Sequence, residues 1–343
     1  MHALKAAGEP TRLRILVALD RAELTVGELC RVLNQSQPRV SRHLRLLSDA
    51  QLLHRRQEGT NAYYRRDVNP VADALFAAIT SVANPDDPLL TGDRRRLARV
   101  RADRAQLAAR SGERIEAEAA VVGPVSPAED AVEATMRDLV GPRPVGRMLD
   151  VGTGSGRMLQ LFGPQAELGI GIELSRDMVH LARSAVDRPD LRHCAVRYGD
   201  VQHLDAGIGQ VDLAVLHHVL HFLEDPAVAI DQAGLAVVPG GRLLIVDYAP
   251  HRLDELRDHG HRHLGLDHDD LVAWCDAAGF EVVASRRLVP PDTADPADTG
   301  LTVVVWLAER CGGELAMAAA GSSTSAIGAT TVAPAEPEVP HPS

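Results

Sequence analysis

The stretch Leu149-Asp150-Val151-Gly152-Thr153-Gly154-Ser155-Gly156-Arg157 constrains the fold of this chain more than any other. An apolar strand run ends in a carboxylate, three alternate glycines follow, and a helical segment begins. Glu173, 23 residues beyond Asp150, closes a second apolar run, Leu168-Gly-Ile-Gly-Ile-Glu173. Such a pattern holds a nucleoside cofactor at the strand ends of a parallel sheet. The glycines let backbone approach the ligand, and the acid accepts hydrogen bonds from ribose hydroxyls.

From Arg147 to about Ala308 apolar runs alternate with helical segments, which predicts a βαβ succession and a mainly parallel sheet. Strands are expected at Met148–Val151, Leu168–Glu173, Cys194–Tyr198, Val211–His217 and Arg242–Tyr248. A hairpin of Phe280–Ser285 and Leu301–Leu307 closes the series. At 343 residues the length suits two domains. No apolar run reaches eighteen residues and no cleavable leader is evident, so a cytoplasmic protein without membrane contact is expected. Four scattered cysteines (Cys30, Cys194, Cys275, Cys311) form no paired motif, which argues against a disulfide framework or a thiolate zinc site. Charge is divided unevenly. Residues 1–80 carry 12 Lys+Arg against 8 Asp+Glu, whereas residues 119–343 carry 16 against 32. Only the basic head suits a polyanion.

That head is organised. Pro10–Leu19 has one apolar face, Thr25-Val-Gly-Glu28 is a capping box opening a second helix, and Asn34 is a stop. In the third helix Val40, Leu44 and Leu47 repeat on a core face. Gln37, Arg39, Ser41, Arg42, His43 and Arg45 fill the others. Arg and Gln supply bidentate base contacts, and Ser with the remaining Arg holds phosphate. Leu52–Gln57 and Ala62–Arg66 read as a basic hairpin, a wing bringing Arg55, Arg56 and Tyr63 to DNA. A last helix through Leu75, Phe76 and Ile79 is the expected dimer contact. With Glu9-Pro-Thr-Arg-Leu-Arg-Ile-Leu16, Ser41-Arg-His-Leu44 and the wing's Tyr63-Tyr-Arg65, residues 4–80 resemble an ArsR-type winged-helix repressor. The resemblance implies a homodimer on a double-stranded DNA operator. Metal-sensing members carry paired cysteines or acid/His clusters; here there is one lone Cys30, so metal sensing by this module is not expected.

Asp150-x-Gly152-x-Gly154-x-Gly156, Glu173 and Tyr198-Gly-Asp200 resemble the class I S-adenosylmethionine-dependent methyltransferases over about residues 128–310. That resemblance implies S-adenosylmethionine, or S-adenosylhomocysteine as effector, bound by Asp150, Gly152, Thr153, Gly154, Gly156, Glu173, Met178, Asp200, Val201 and His217. Glu173 would take the ribose hydroxyls and Asp200 the adenine amino group, with Met178 and Val201 lining the ring. Val211-Asp-Leu-Ala-Val-Leu-His-His218 matches the strand whose end faces the methyl donor. The competing dinucleotide reading, an NADH-responsive repressor, needs GxGxxG. Here the third glycine comes one residue early and Arg157 fills its place.

Histidines crowd the segments after the fourth and fifth strands. His218 and His221 are candidate general bases, with His261 and its neighbour His259 over the pocket. No acid pattern supports the HxHxH spacing, so no metal is expected. No Phe, Tyr or Trp lies in residues 91–127 to cover the cofactor. The expectation is thus an α/β chain in four parts. These are a winged helix-turn-helix (1–83), a helical linker (84–127), a Rossmann-like class I methyltransferase fold ending in an antiparallel hairpin (128–310), and a disordered tail (311–343). Such a chain reads as a regulator that senses S-adenosyl compounds, methylates a small-molecule acceptor, or does both. The alternative is an active methyltransferase whose winged helix serves autoregulation only.

Overall fold

The computed structural model describes all residues except 1, 21, 59–60, 68, 85, 123–124, 291–299 and 313–343, with the side chains of 107–121 and 206 also outside the description. The expected tail therefore lies almost wholly outside the described residues.

The amino-terminal unit orders α1 (His2–Ala7), α2 (Pro10–Leu19), β1 (Leu24–Thr25), α3 (Val26–Leu33), α4 (Gln37–Asp49), β2 (Leu53–Glu58), β3 (Asn61–Arg66) and α5 (Pro70–Val82). Local chemistry sets these boundaries. Glu9 accepts from Arg12 N and Pro10 supplies the first turn of α2. The Thr25/Glu28 capping box is formed in both directions, and Asn34 ends α3 in the left-handed region at φ 53°. Val40, Leu44 and Leu47 are fully buried, each worth about 1.5–3 kcal/mol of apolar burial. The three strands pair antiparallel in the order β1-β3-β2.

The expected dimer contact on α5 needs correction. Phe76 and Ile79 are buried in this unit's own core, and the large apolar residues that α5 exposes are Val71 and Val82. The next segment, expected to connect the two units, is helical. Helix α6 (Pro88–Val122) has 35 residues, about 50 Å of helix, and its first half packs into the winged-helix unit. Val100 is 2% exposed in that core, with Leu97 against it. Arg14 grips Asp93 with two hydrogen bonds of 2.7 Å, and Arg104 grips Glu28 at 2.8 and 2.7 Å.

The carboxy-terminal unit continues with α7 (Glu129–Val140), β4 (Gly146–Val151), α8 (Arg157–Phe162), β5 (Ala166–Glu173), α9 (Arg176–Ala185), β6 (Cys194–Tyr198), β7 (Val211–His217), α10 (Pro226–Ala236), β8 (Val237–Tyr248), α11 (His268–Ala277), β9 (Phe280–Leu288) and β10 (Val303–Arg310). The sheet order is β6-β5-β4-β7-β8-β10-β9. β4 through β8 pair parallel, and β10 runs antiparallel between β8 and β9. Successive residues face opposite apolar layers. Leu149, Leu216 and Ile245 join one; Met148, Val215 and Leu244 join the other. That is why these strands read as unbroken apolar runs. The winding reverses between β4 and β7, so a crevice opens at the carboxyl ends of these two strands and their neighbours. No helix among the described residues is long and apolar enough to cross a membrane.

Candidate functional site

The glycine loop fills one side of that crevice. Gly152 N and Thr153 N both donate to Ile172 O at 2.9 Å, tying the loop to β5. Gly152 has φ 74°, and a Cβ there would collide with the Val219 side chain. Gly154, at φ 52°, differs: nothing lies within 4 Å of an added Cβ. Its face opens onto space where a ligand can lie against bare backbone. Glu173 bridges the loop to α9, its carboxylate accepting from Gly154 N at 3.0 Å and Ser175 N at 2.7 Å. Each oxygen keeps a second acceptor position for a hydroxyl.

Asp150 is 1% exposed and accepts the Thr153 hydroxyl, while its Oδ1 has no partner among the described residues. Burial pushes its carboxyl up to about 7, with the Thr153 bond opposing and the Glu173 charge adding. Gly156 opens α8 at φ 81°. Met178 is half-buried on α9, Val201 is buried, and Asp200 accepts from Gln202 N at 2.9 Å. The structure thus gathers the residues expected to hold cofactor around β4, β5 and β6, with His217 across the crevice at the end of β7.

Across the crevice, the ends of β7 and β8 carry the histidines. His218 sits at φ 50°, an unusual conformation for a side-chain-bearing residue, pinned by its N–H to Val246 O at 2.8 Å. A short 3₁₀ turn, Leu220–Phe222, then presents His221, 1% exposed. His221 Nδ1 and Asp247 Oδ1 are 2.6 Å apart. The ring of His261 lies 4.2 Å from that of His221, and His218 lies 6.2 Å from it. Burial pulls the His217 imidazole down to about 4 and His218 well below its ordinary value. Burial would push the Asp247 carboxyl up, but the facing His221 and the donors around it hold it low. The three candidate bases therefore do converge, whereas His259 is exposed and lies apart. Asp247, fully buried, was missed. It closes a strand as Asp150 does, which was the available signal, but it stands 26 residues from the histidine it serves.

On the winged-helix side Gln37, Arg39, Arg42 and Arg45 are exposed along α4, as is Arg55 on the wing. Ser41 and His43 are half-buried, His43 turning toward Glu9 at 3.5 Å. Arg56 and Tyr63 are occupied otherwise. Arg56 pairs with Glu58 at 2.5 Å and Glu23 at 3.3 Å, and the guanidiniums of Arg56 and Arg183 lie 5.1 and 4.2 Å from the Tyr63 ring centre. In this arrangement both wing residues serve contacts within the chain rather than a face offered to DNA. Sequence reasoning could not see that, because their partner Arg183 is 125 residues from Glu58.

Two family models match. One described as "Methyltransferase domain" covers residues 95–285, and one described as "Bacterial regulatory protein, arsR family" covers residues 9–55. The chain is 28% identical over 119 residues to the uncharacterized methyltransferase YcgJ of Bacillus subtilis, spanning 34% of this chain and 47% of YcgJ. It is 29% identical over 156 residues to an arsenite methyltransferase of Halobacterium salinarum, spanning 42% and 39%. With the arsenical resistance operon repressor of Escherichia coli it shares 45% identity over 84 residues, 24% of this chain and 70% of the repressor. The chain spans less than half the length of the two methyltransferases. The matched methyltransferase model removes the dinucleotide alternative. The chain belongs to the methyltransferase-domain family through its carboxy-terminal unit and to the ArsR family of bacterial regulatory proteins through its amino-terminal unit.

Proposed function

We propose that the protein is a cytoplasmic, dimeric, operator-binding regulator. Its carboxy-terminal domain binds S-adenosylmethionine or S-adenosylhomocysteine and methylates a small-molecule acceptor. The parts divide as 1–83 for DNA binding, 84–127 for connection and 128–310 for the cofactor domain. The observation that carries this reading is the trio of the open Gly154 face, the unpartnered Asp150 oxygen and the half-used Glu173 carboxylate. A nucleoside with hydroxyls and a cationic amino group matches those acceptors in number and charge.

Asp150, Gly152, Thr153, Gly154, Gly156, Glu173, Met178, Asp200, Val201 and His217 would hold the cofactor, which supplies an electrophilic methyl group when bound. The chain's own contribution lies on the facing wall. Asp247 fixes His221 with Nδ1–H toward the carboxylate, leaving Nε2 as an acceptor inside a buried aromatic pocket. Burial lowers the basicity of His217 and His218, so that wall carries no imidazolium from either ring.

Regulation follows from α9. Its first turn is tied to Glu173 through Ser175, and its last turn carries Arg183, bonded to Glu58 of the wing at 2.6 Å. Occupancy at the glycine loop biases the wing through one rigid helix. A coupling of about 1–3 kcal/mol makes a useful switch.

The test is fluorescence anisotropy of labelled DNA from upstream of this protein's own gene, at fixed salt, with each S-adenosyl compound or neither. Calorimetry of the two ligands runs beside it. A several-fold change in DNA affinity with one ligand supports the reading. Ligand binding without any effect on DNA leaves two tethered functions and removes the switch. No ligand binding removes the cofactor site.

A further inference from the structure

The histidine wall holds more nitrogen than an acceptor pocket requires. One ligating atom from each of His218, His221 and Asp247 lies within 4.8 Å of the other two. The topology builds this cluster. His218 and His221 follow the end of β7 and Asp247 closes most of β8, its parallel neighbour, so all three meet at one edge of the crevice.

Hydrogen-bond accounting then separates their roles. Asp247 Oδ1 accepts from His221 Nδ1 at 2.6 Å and Tyr248 N at 2.8 Å; Oδ2 accepts from Leu220 N at 3.1 Å and His221 N at 3.3 Å. Both oxygens are saturated, so the carboxylate's part is to orient His221 and to supply negative charge. The ionised carboxylate therefore takes a hydrogen from His221 Nδ1, and in the neutral ring Nε2 is the free lone pair. That Nε2 is buried without a hydrogen-bond partner among the described residues, and so is Nδ1 of His218. Each such nitrogen carries an uncompensated desolvation cost if nothing meets it. The strained backbone at His218 shows that the fold accepts a further cost to place this ring.

We propose that the crevice binds a divalent transition-metal ion of the zinc class. Its nitrogen ligands are His221 Nε2 and His218 Nδ1, Asp247 is the carboxylate behind His221, and His261 is the next imidazole in reach. Imidazole nitrogens favour zinc, cobalt, nickel or copper over magnesium or calcium, which demand oxygen. A carboxylate hydrogen-bonded to the far nitrogen of a ligating histidine is the usual outer support of such ions. The rings of Phe222, 4.1 Å from His221, and Tyr248, 4.6 Å from His218, wall the site from bulk solvent. A position left open to the crevice would take a thiol or hydroxyl and lower its pKa. The inference stands on these side chains alone and survives if the methyl-transfer reading fails.

The test is a cobalt(II) titration of the full chain after removal of bound metal by chelation. One equivalent is expected to give visible ligand-field absorption without a near-ultraviolet thiolate band, and zinc(II) should abolish it by displacement. His218→Ala and His221→Ala should each weaken binding at least tenfold. Asp247→Asn should weaken it by about 10–100-fold, as for other outer-shell carboxylates. His203→Ala, whose side chain is 84% exposed, should match the parent. Should the alanine variants misfold by circular dichroism, His218→Asn and His221→Gln replace them. Absence of ligand-field absorption in the parent overturns the proposal. Unchanged affinity in the folded His218 and His221 variants, or a thiolate band, does so too.

Discussion

Glu58, the last residue of β2, and Arg183, in the last turn of α9, form a 2.6 Å ion pair with side chains 6% and 7% exposed. Arg183 also donates to Val196 O at 3.1 and 3.0 Å, and Arg101 of α6 reaches Asp187 at 2.7 Å just beyond α9. The wing and the cofactor domain are therefore joined by desolvated polar contacts, which demand good geometry to be tolerable.

Removing one partner should expose that demand. Glu58→Gln strands a buried guanidinium and is expected to cost about 3 kcal/mol in urea unfolding. An apolar pair, Glu58→Leu with Arg183→Met, should recover most of the loss. If coupling runs through this contact, the apolar pair should also bind S-adenosyl compounds normally while losing their effect on DNA affinity. Retention of that effect would place the coupling elsewhere. The pair also sets an acid limit. Although burial pushes the Glu58 carboxyl up, Arg183 and Arg56 hold it below the ordinary 4.5. Its stabilisation is present above pH 4.5 and is lost as pH falls through the lower folded value. Urea midpoints between pH 3 and 6 should show the loss in the parent and a flatter profile in the apolar pair.

Asp150 carries the opposite sign. Its carboxyl moves from 3.8 to about 7 in the folded chain, so the unfolded chain releases the proton first. Stability from this group is full below pH 3.8, declines as pH rises, and is exhausted above pH 7. The shift corresponds to an upper bound of roughly 4 kcal/mol. Asp150→Asn should therefore stabilise the ligand-free protein at pH 8 by a few kcal/mol at most and leave it unchanged at pH 3.5. A cationic ligand that ionises Asp150 should bind with proton release below pH 7. Calorimetry in buffers of different ionisation enthalpy reads that directly, and a buffer-independent heat would refute it.

The parallel strands were legible because both their faces are buried, and Cys194–Tyr198 and Val211–His217 have the expected bounds. The helix cap at Thr25 was legible because its partner lies three residues away. What escaped depends on pairings across the fold. Asp247 has no sequence neighbour to advertise it, and Arg183 looks like a surface residue of an amphipathic helix until the wing is seen on it. The α5 residues were misplaced for a related reason: an apolar helical stripe does not say whether its own core or a second chain covers it.

Gly154 should separate folding from ligand binding. Because an added side chain points into open space, Gly154→Asp should cost only the strain of its left-handed backbone, on the order of 1–2 kcal/mol. The new carboxylate would stand beside Glu173 and fill the cradle. S-adenosylhomocysteine binding should fall beyond detection in calorimetry while basal DNA affinity stays at the parent value. Gly152→Ala should instead be visibly unstable, since its Cβ meets Val219. Equal behaviour of the two variants would count against the assignment of the open face.

Salt dependence distinguishes the two sets of arginines. Arg39, Arg42 and Arg45 are exposed on α4, whereas Arg56 is held by Glu23 and Glu58. Each phosphate contact contributes roughly 0.9 to the slope of log affinity against log salt. Arg39→Ala or Arg42→Ala should therefore lower that slope by about 0.9 if the residue meets phosphate. A base contact would instead relax sequence preference at one operator position, at about 1–3 kcal/mol. Arg56→Ala should leave the slope of the ligand-free protein unchanged, because its charge is already spent on two carboxylates. A reduced slope for Arg56→Ala would mean that the wing leaves Arg183 when DNA binds. The Glu58–Arg183 contact would then be a latch that competes with the operator, and ligands that strengthen it should weaken DNA binding.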